Sequence, residues 1–197
     1  LHRALQQFLA DVYWGDLDVL LLDLPPGTGD IAISVSQLIP GAEILVVTTP
    51  QLAAAEVAER AGAIATQTHQ QVVGVVENMS WLELPDGTRM EVFGAGGGQT
   101  VADSLTRSVG APVKLLGQIP LEQGLREAGD EGTPIVLRDP DSPAATALRA
   151  GGHRHLAAPL APPRGAGRTQ TAVRLRGPHR NASIAPRRPD RPGDRAR

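Results

Sequence analysis

Apolar positions divide this chain into short continuous runs and longer, periodically spaced segments. Leu1, Leu5, Phe8, Leu9 and Val12 recur at helical spacing. Five of the six residues in 19–24 are apolar, too short a run for a helix, which predicts a parallel strand buried on both faces. A helix is expected over about 30–39, then a second apolar strand, Glu43-Ile-Leu-Val-Val-Thr-Thr49. Segment 51–68 is rich in Ala and Glu and carries an apolar stripe through Leu52, Ala55, Val57 and Ala61, the pattern of a covering helix. Val72-Val-Gly-Val-Val-Glu77 reads as a third strand. Residues 79–93 read as an irregular excursion with a Pro and an Asp-Gly turn signal in Leu84-Pro-Asp-Gly87. Helix 99–108, strand 113–119, helix 121–128 and a short helix 143–149 complete the order.

Strands alternating with helices at this spacing predict right-handed βαβ units and an α/β fold, a mostly parallel sheet flanked by helices. Ligands of such sheets bind at the carboxyl ends of the strands. Three chemically suggestive segments fall there: Asp23 with the Pro-Pro-Gly turn behind it, Thr48-Thr49-Pro50, and Glu77-Asn78.

Charge divides the chain in two. Residues 151–197 hold 11 Arg and no Lys against Asp190 and Asp194, a balance of +9, whereas residues 1–150 carry 8 basic and 19 acidic residues, a balance of −11. The reading is therefore an ordered part, 1–150, and a basic Arg/Pro-rich tail, 151–197, with too few large apolar residues to offset the entropy of ordering. Such a tail is either disordered or the product of a reading frame slipped near Ala150, and an intact frame across 147–153 on resequencing would exclude the second. It has no aromatic residue for stacking and no recognised motif, so nucleic acid is not an expected partner. The helical pattern already under way at Leu1 leads to the expectation of a fragment. No apolar run approaches the length of a membrane span, no leader is evident, and a cytoplasmic location is the default. There is no cysteine, hence no disulfide, thiolate ligand or thiol nucleophile.

The chemistry concentrates in Asp18-Val-Leu-Leu-Leu-Asp23-Leu-Pro-Pro-Gly-Thr-Gly-Asp30. An acid at the end of a buried strand, followed by glycines, is where nucleotide-hydrolysing α/β proteins meet magnesium and the terminal phosphate. Asp23 is the magnesium candidate, directly or through a water, against a structural acid. Gly27 would turn its N–H toward the γ-phosphate, against a simple tight turn. Thr28 and Asp30 stand near the same phosphate or at the start of the following helix, and Asp30 suits a cap. Asn78 could read an adenine edge by donating and accepting together, or serve as a turn residue. Phe93-Gly-Ala-Gly-Gly-Gly98 lacks the Gly-Lys-Ser/Thr ending of a phosphate loop and reads as a flexible lead into helix 99–108. The single lysine, Lys114, lies in a strand with no glycine loop before it, so the phosphate cradle of a P-loop NTPase is missing.

With these residues assembled, the chain resembles the C-terminal part of the Mrp/ApbC family, deviant-Walker P-loop ATPases of the MinD/ParA superfamily that act as iron–sulfur cluster carriers. The resemblance covers roughly residues 1–150. It rests above all on the run from Asp18 to Asp30 and on Gly74-Val-Val-Glu-Asn-Met-Ser80. It is supported by Val46-Val-Thr-Thr-Pro-Gln51, Phe93-Gly-Ala-Gly-Gly-Gly98, Leu116-Gly-Gln-Ile-Pro-Leu121 and Arg126-Glu-Ala-Gly-Asp-Glu-Gly-Thr-Pro134. It implies a P-loop NTPase fold of MinD/ParA type, N-terminally truncated, with ATP and Mg2+ as cofactors and hydrolysis as the activity. Residues 23–29 resemble the segment that senses γ-phosphate and magnesium, which gives Asp23, Gly27 and Thr28 catalytic expectations and puts Pro26 and Gly27 beside the nucleotide. Asn78 resembles the adenine contact, and Ile119-Pro120-Leu121-Glu122 the loop flanking the base, with Pro120 against the nucleotide. Implied partners are a second copy, since family members dimerise, and iron–sulfur client or scaffold proteins, with no membrane. The family's glycine-rich lysine loop would lie upstream of Leu1. Many members also carry a Cys-x-x-Cys after the Glu-Asn-Met-Ser segment, where this chain reads Trp81-Leu-Glu-Leu-Pro-Asp-Gly87. A cluster needs thiolates, so no iron–sulfur ligand is expected from this chain. The alternative is a MinD/ParA-like regulatory or positioning ATPase whose dimer docks on a partner. The isolated chain is expected not to bind ATP appreciably.

Overall fold

The computed structural model describes residues 2–17, 19–24, 29–39, 41–51, 54–156 and 171–172. The elements are α1 (His2–Asp11), α2 (Gly29–Leu38), β1 (Glu43–Thr48), α3 (Ala54–Thr68), β2 (Val72–Glu77), β3 (Leu82–Glu83), β4 (Arg89–Met90), α4 (Gly97–Val109), β5 (Leu115–Gln118), α5 (Gln123–Asp130), α6 (Ile135–Arg138), α7 (Pro143–Leu156) and β6 (Thr171–Ala172).

The main sheet has the order β5-β2-β1-β6. β1, β2 and β5 run parallel, and β6 adds an antiparallel edge at Glu43 and Ile44. This is the mostly parallel, helix-flanked sheet that the alternation predicts. Pairing of Val46 with Val75 and of Thr48 with Glu77 sets the register, so Ile44, Val46 and Val75 share one face. That face packs on Ala58, Ile64 and Ala65 of α3 and Val101, Ala102 and Leu105 of α4, forming the principal core. On the opposite face Leu116 occupies the space beside Gly74, and Gly117 and Gly151 let α7 lie close to β5. That face is less covered at β1, where Val47 is 51% exposed. A second, smaller core joins Ala128, Ile135 and Ala145 of α5, α6 and α7.

The expected strand 19–24 does not form. Apart from a single bridge residue at Leu20 the backbone there is irregular, and Leu21 is 68% exposed. A parallel strand is stable only with hydrogen-bonded neighbours and cover on both faces. The apolar run lacks that cover, although Leu24 still packs against the principal core. The α1 stripe likewise forms a helix with no buried residue. The excursion 79–93 contains a two-stranded hairpin, β3–β4, and helix 143–149 extends to Leu156, past the expected boundary at residue 150. Thr171–Ala172 also pairs with the sheet, while the rest of the basic tail lies outside the described residues.

Candidate functional site

Two of the three expected segments meet at the carboxyl edge of the sheet, joined by a third from β5. Parallel pairing of β1 with β2 carries on past the strand ends: the Asn78 N–H donates to the Thr48 carbonyl at 2.8 Å. On the other side the Ile119 N–H donates to the Glu77 carbonyl at 2.8 Å and the Ser80 N–H to the Ile119 carbonyl at 2.9 Å. The Leu121 N–H then reaches the Trp81 carbonyl at 2.7 Å. Loop 119–122 is thus fastened along residues 77–81, and Pro120 is buried beside them.

Asn78 is half-buried at this edge. Its Oδ1 accepts from the Met79 N–H at 3.0 Å, so the side-chain amide retains N–H donors for a ligand. Met79 has φ 58°, a left-handed conformation rare for a side chain of this size, and it turns the chain from β2 toward β3. The sequence reading of Asn78 as donor and acceptor together is narrowed here: one acceptor position is already taken locally.

Behind Asn78, the Glu77 side chain is 1% exposed. Its Oε2 accepts the Gly98 N–H at 2.6 Å and its Oε1 the Gln118 Nε2 at 2.7 Å. Gly98 is in the first turn of α4, where backbone N–H groups lack helical partners and the helix dipole is positive. The cap residue Gly96, at φ 81°, has no side chain to offer, so a carboxylate from β2 takes that place. The glycines have a steric reason as well. A Cβ on Gly97 would stand 2.7 Å from the Pro50 carbonyl carbon, and one on Gly98 would stand 2.8 Å from the Glu77 Cβ. The segment 93–98 is therefore a close-approach joint between α4 and two strand ends. Its helix terminus is already met by the Glu77 carboxyl group, and this tight joint replaces the flexible lead into the helix that the sequence suggests, because backbone and side-chain atoms crowd both glycines.

Asp23 is exposed, next to the anchored Leu24. Pro26, Gly27 and Thr28 lie outside the described residues, as does Asp18. Gly29 and Asp30 open α2. Lys114 precedes β5 and so stands at the amino edge of the sheet, a strand's length from Asn78, where it cannot act as the phosphate lysine of this site. A cavity of about 610 Å3 lined by Leu9, Trp14, Leu17, Leu20, Leu38 and Ile39 also lies toward that amino edge, where α2 leads into β1.

The segment corresponding to the missing Cys-x-x-Cys is closed on itself. The Leu84 N–H donates to the Thr88 carbonyl, the Gly87 N–H to the Leu84 carbonyl, and the Asp86 carboxylate accepts the Thr88 N–H at 2.9 Å. That bond, with the Thr88 hydroxyl, holds the Asp86 carboxyl below its ordinary value. Arg89 stacks over Trp81 at 4.1 Å. The chain has no cysteine, and no cluster of three or more His, Asp or Glu suited to a metal occurs among the described residues. This hairpin therefore does not fit a thiolate-held cluster. A single carboxylate such as Asp23 would not complete a magnesium site by itself, since Mg2+ is commonly held by one or two carboxylates together with nucleotide phosphates and water.

Sequence reasoning missed Glu77, Gln118 and Glu122 as organisers of this edge. A signal for the first was present: a carboxylate closing a continuous apolar run is costly to bury unless donors meet it. Glu122 is visible only in three dimensions. From the N-cap position of α5 its carboxylate accepts the Ala144 N–H of α7 at 2.8 Å.

Comparison with known proteins agrees with the resemblance. The chain is 78% identical over 142 residues to an iron-sulfur cluster carrier protein of Mycobacterium tuberculosis, covering 72% of this chain and 37% of that protein. A protein of the same description from Deinococcus radiodurans is 45% identical over 151 residues, covering 76% and 41%. The chain therefore spans less than half the length of these curated relatives. Among solved structures, a nucleotide-binding protein of Archaeoglobus fulgidus in complex with ADP, with cobalt found in it, superposes with a TM-score of 0.57 at 35% identity, over 72% of this chain and 55% of that one. No helix among the described residues is long and apolar enough to cross a membrane. Residues 1–153 match the family ParA, NUBPL iron-transfer P-loop NTPase, and the chain belongs to that family.

Proposed function

We propose that this chain supplies the base-binding and γ-phosphate-sensing part of an ATP-hydrolysing iron–sulfur cluster carrier or assembly factor. The observation that carries the reading is the carboxyl edge, where Asn78 keeps amide donors beside the buried Pro120 loop while both flanks are tied down. In this reading the Asn78 amide recognises adenine and loop 119–122 flanks the base. Asp23 would hold Mg2+, through a water, and the magnesium would offset charge on the phosphates. Pro26, Gly27 and Thr28 would line the phosphate side, with Thr28 near the γ-phosphate. The lysine loop would come from residues of a longer protein. ATP hydrolysis, a homodimer, iron–sulfur clients and a cytoplasmic location all belong to this proposal, with the cluster as cargo held by groups outside this chain.

The test joins this chain to the preceding residues of the Mycobacterium tuberculosis relative. Magnesium-dependent ATP turnover is expected, falling at least about tenfold in Asp23→Ala, the order expected for losing an interaction with a charged phosphate–metal centre. Undiminished turnover in that variant would refute the role of Asp23. The 197-residue chain alone is expected to give no ATP-binding heat, and micromolar binding in a calorimetric titration would contradict this. The closed, cysteine-free hairpin 82–90 favours a second reading, a MinD/ParA-like regulatory ATPase whose ATP-bound dimer docks on a protein partner. Failure to deliver a cluster to an apo-acceptor, with ATP-dependent partner binding retained, would select that second reading.

A further inference from the structure

We propose that Glu77 is the positioning residue for base recognition: its buried carboxylate plugs the first turn of α4, grips Gln118, and so fixes Asn78 between the glycine joint and loop 119–122. This rests on reading the carboxyl edge as a nucleotide site.

A helix N-terminus leaves several backbone N–H groups without intrahelical partners. In α4 the cap is a glycine, and the Gly98 N–H is met by Glu77 Oε2, 21 residues away in the chain. The other oxygen, Oε1, takes the Gln118 amide. Each carboxylate oxygen faces a donor, so the carboxylate suits the place. The Glu77 main chain makes two more bonds, its carbonyl accepting the Ile119 N–H and the Ser80 hydroxyl at 3.1 Å. One residue thus joins β2, β5, α4 and loop 119–122. The next residue is Asn78, whose own N–H is tied to Thr48 of β1. With the backbone held on both sides, the Asn78 Oδ1 accepts from the Met79 N–H, which leaves the amide N–H groups for a ligand. Glu77 touches no base itself and acts through Asn78.

The consequence is a specific pattern of failure. Removing the carboxylate frees the α4 terminus and Gln118 together, so Asn78 loses its fixed direction and base discrimination falls before phosphate binding does. The variants are Glu77→Ala, Glu77→Gln and Gln118→Ala. Glu77→Gln can still offer an oxygen to Gly98 and its amide to a flipped Gln118, so it should recover most of the loss. Two measurements are made. The first is amide hydrogen exchange at Gly98 and Ile119 in the 197-residue chain. The second is the ratio of ATP to GTP affinity in the chain joined to its relative's preceding residues.

Glu77→Ala is expected to speed Gly98 and Ile119 exchange at least about tenfold and to shrink the ATP:GTP ratio about tenfold, the scale of one buried hydrogen bond. Glu77→Gln should restore the ratio to within about threefold of the parent on the same scale. Gln118 is exposed, so Gln118→Ala will fold even where Glu77→Ala does not, and it should shift the ratio in the same direction. An unchanged ratio in the folded variants, with ATP still bound, overturns the role of Glu77 alone. A parent protein that binds neither nucleotide overturns the nucleotide reading itself.

Discussion

Gly97 and Gly129 both lie in helices, yet their missing side chains have opposite meanings. At Gly97 a Cβ would press on the Pro50 carbonyl group, backbone that cannot swing aside. At Gly129 in α5 nothing lies within 4 Å and φ is not positive, so the glycine only adds freedom to the unfolded chain. Gly97→Ala is therefore expected to destabilise by about 1–3 kcal/mol, as overpacking does. Gly129→Ala should stabilise by about 0.5–1 kcal/mol, the usual helix gain. Urea unfolding of the two variants against the parent checks both signs, and equal effects would contradict the distinction. The same scale explains what was legible. Asp23 and Asn78 could be singled out because their residue types and neighbours are chemically unusual. Glu77 could be placed at the same edge, but its part there could not be read, because the donors it meets come from Gly98 and Gln118, far off in sequence.

Among elements, the β3–β4 hairpin shows how a local signal decides a local structure. Leu84-Pro-Asp-Gly87 was readable as a turn, and the turn forms with Gly87 at φ 81° and Asp86 accepting from Thr88. That bond lowers the Asp86 carboxyl below its ordinary value, its first cause being the Thr88 backbone N–H. A depressed carboxyl favours the folded hairpin wherever the unfolded carboxyl is ionised, above pH about 4. The contribution is then lost as pH falls through the lower folded value. The Thr88 amide shift is accordingly expected to titrate with a midpoint below that of a free aspartate, and Asp86→Asn should abolish the titration. A Thr88 midpoint at or above the free-aspartate value would refute the assignment. β2 was legible for a related reason: Val72–Glu77 is apolar and has partners on both sides, so pattern and outcome agree. Residues 19–24 are just as apolar, but burial belongs to neighbours rather than to the run itself, and here the neighbours are wanting. Helix α6, four residues long, carries too few positions for any period to show.

At the scale of the molecule, the two cores are joined through the candidate site. α7 begins at Pro143, where the missing N–H costs nothing. The Ala145 N–H is capped by Ser142 Oγ at 3.2 Å, and the Ala144 N–H by Glu122 Oε2. Glu122 closes the loop that carries Pro120, so the Pro120 side of the candidate site is hung on α7. In turn α7 is held by the small core of Ala128, Ile135 and Ala145. The Asn78 side hangs instead on β1, β2 and the principal core. Small cores open at lower free energy than large ones, so the two flanks should differ in stability. Truncating Ile135→Ala removes a buried side chain from the small core at a cost of about 2–5 kcal/mol. Faster hydrogen exchange is expected in 119–124 and 143–150, with the amides of Val46, Val75 and Val76 keeping their protection. Glu122→Ala should reproduce the effect on 119–124 without the packing loss. Uniform loss of protection across both regions in Ile135→Ala would mean that the molecule opens as one unit and that the two flanks of the site are not separately supported.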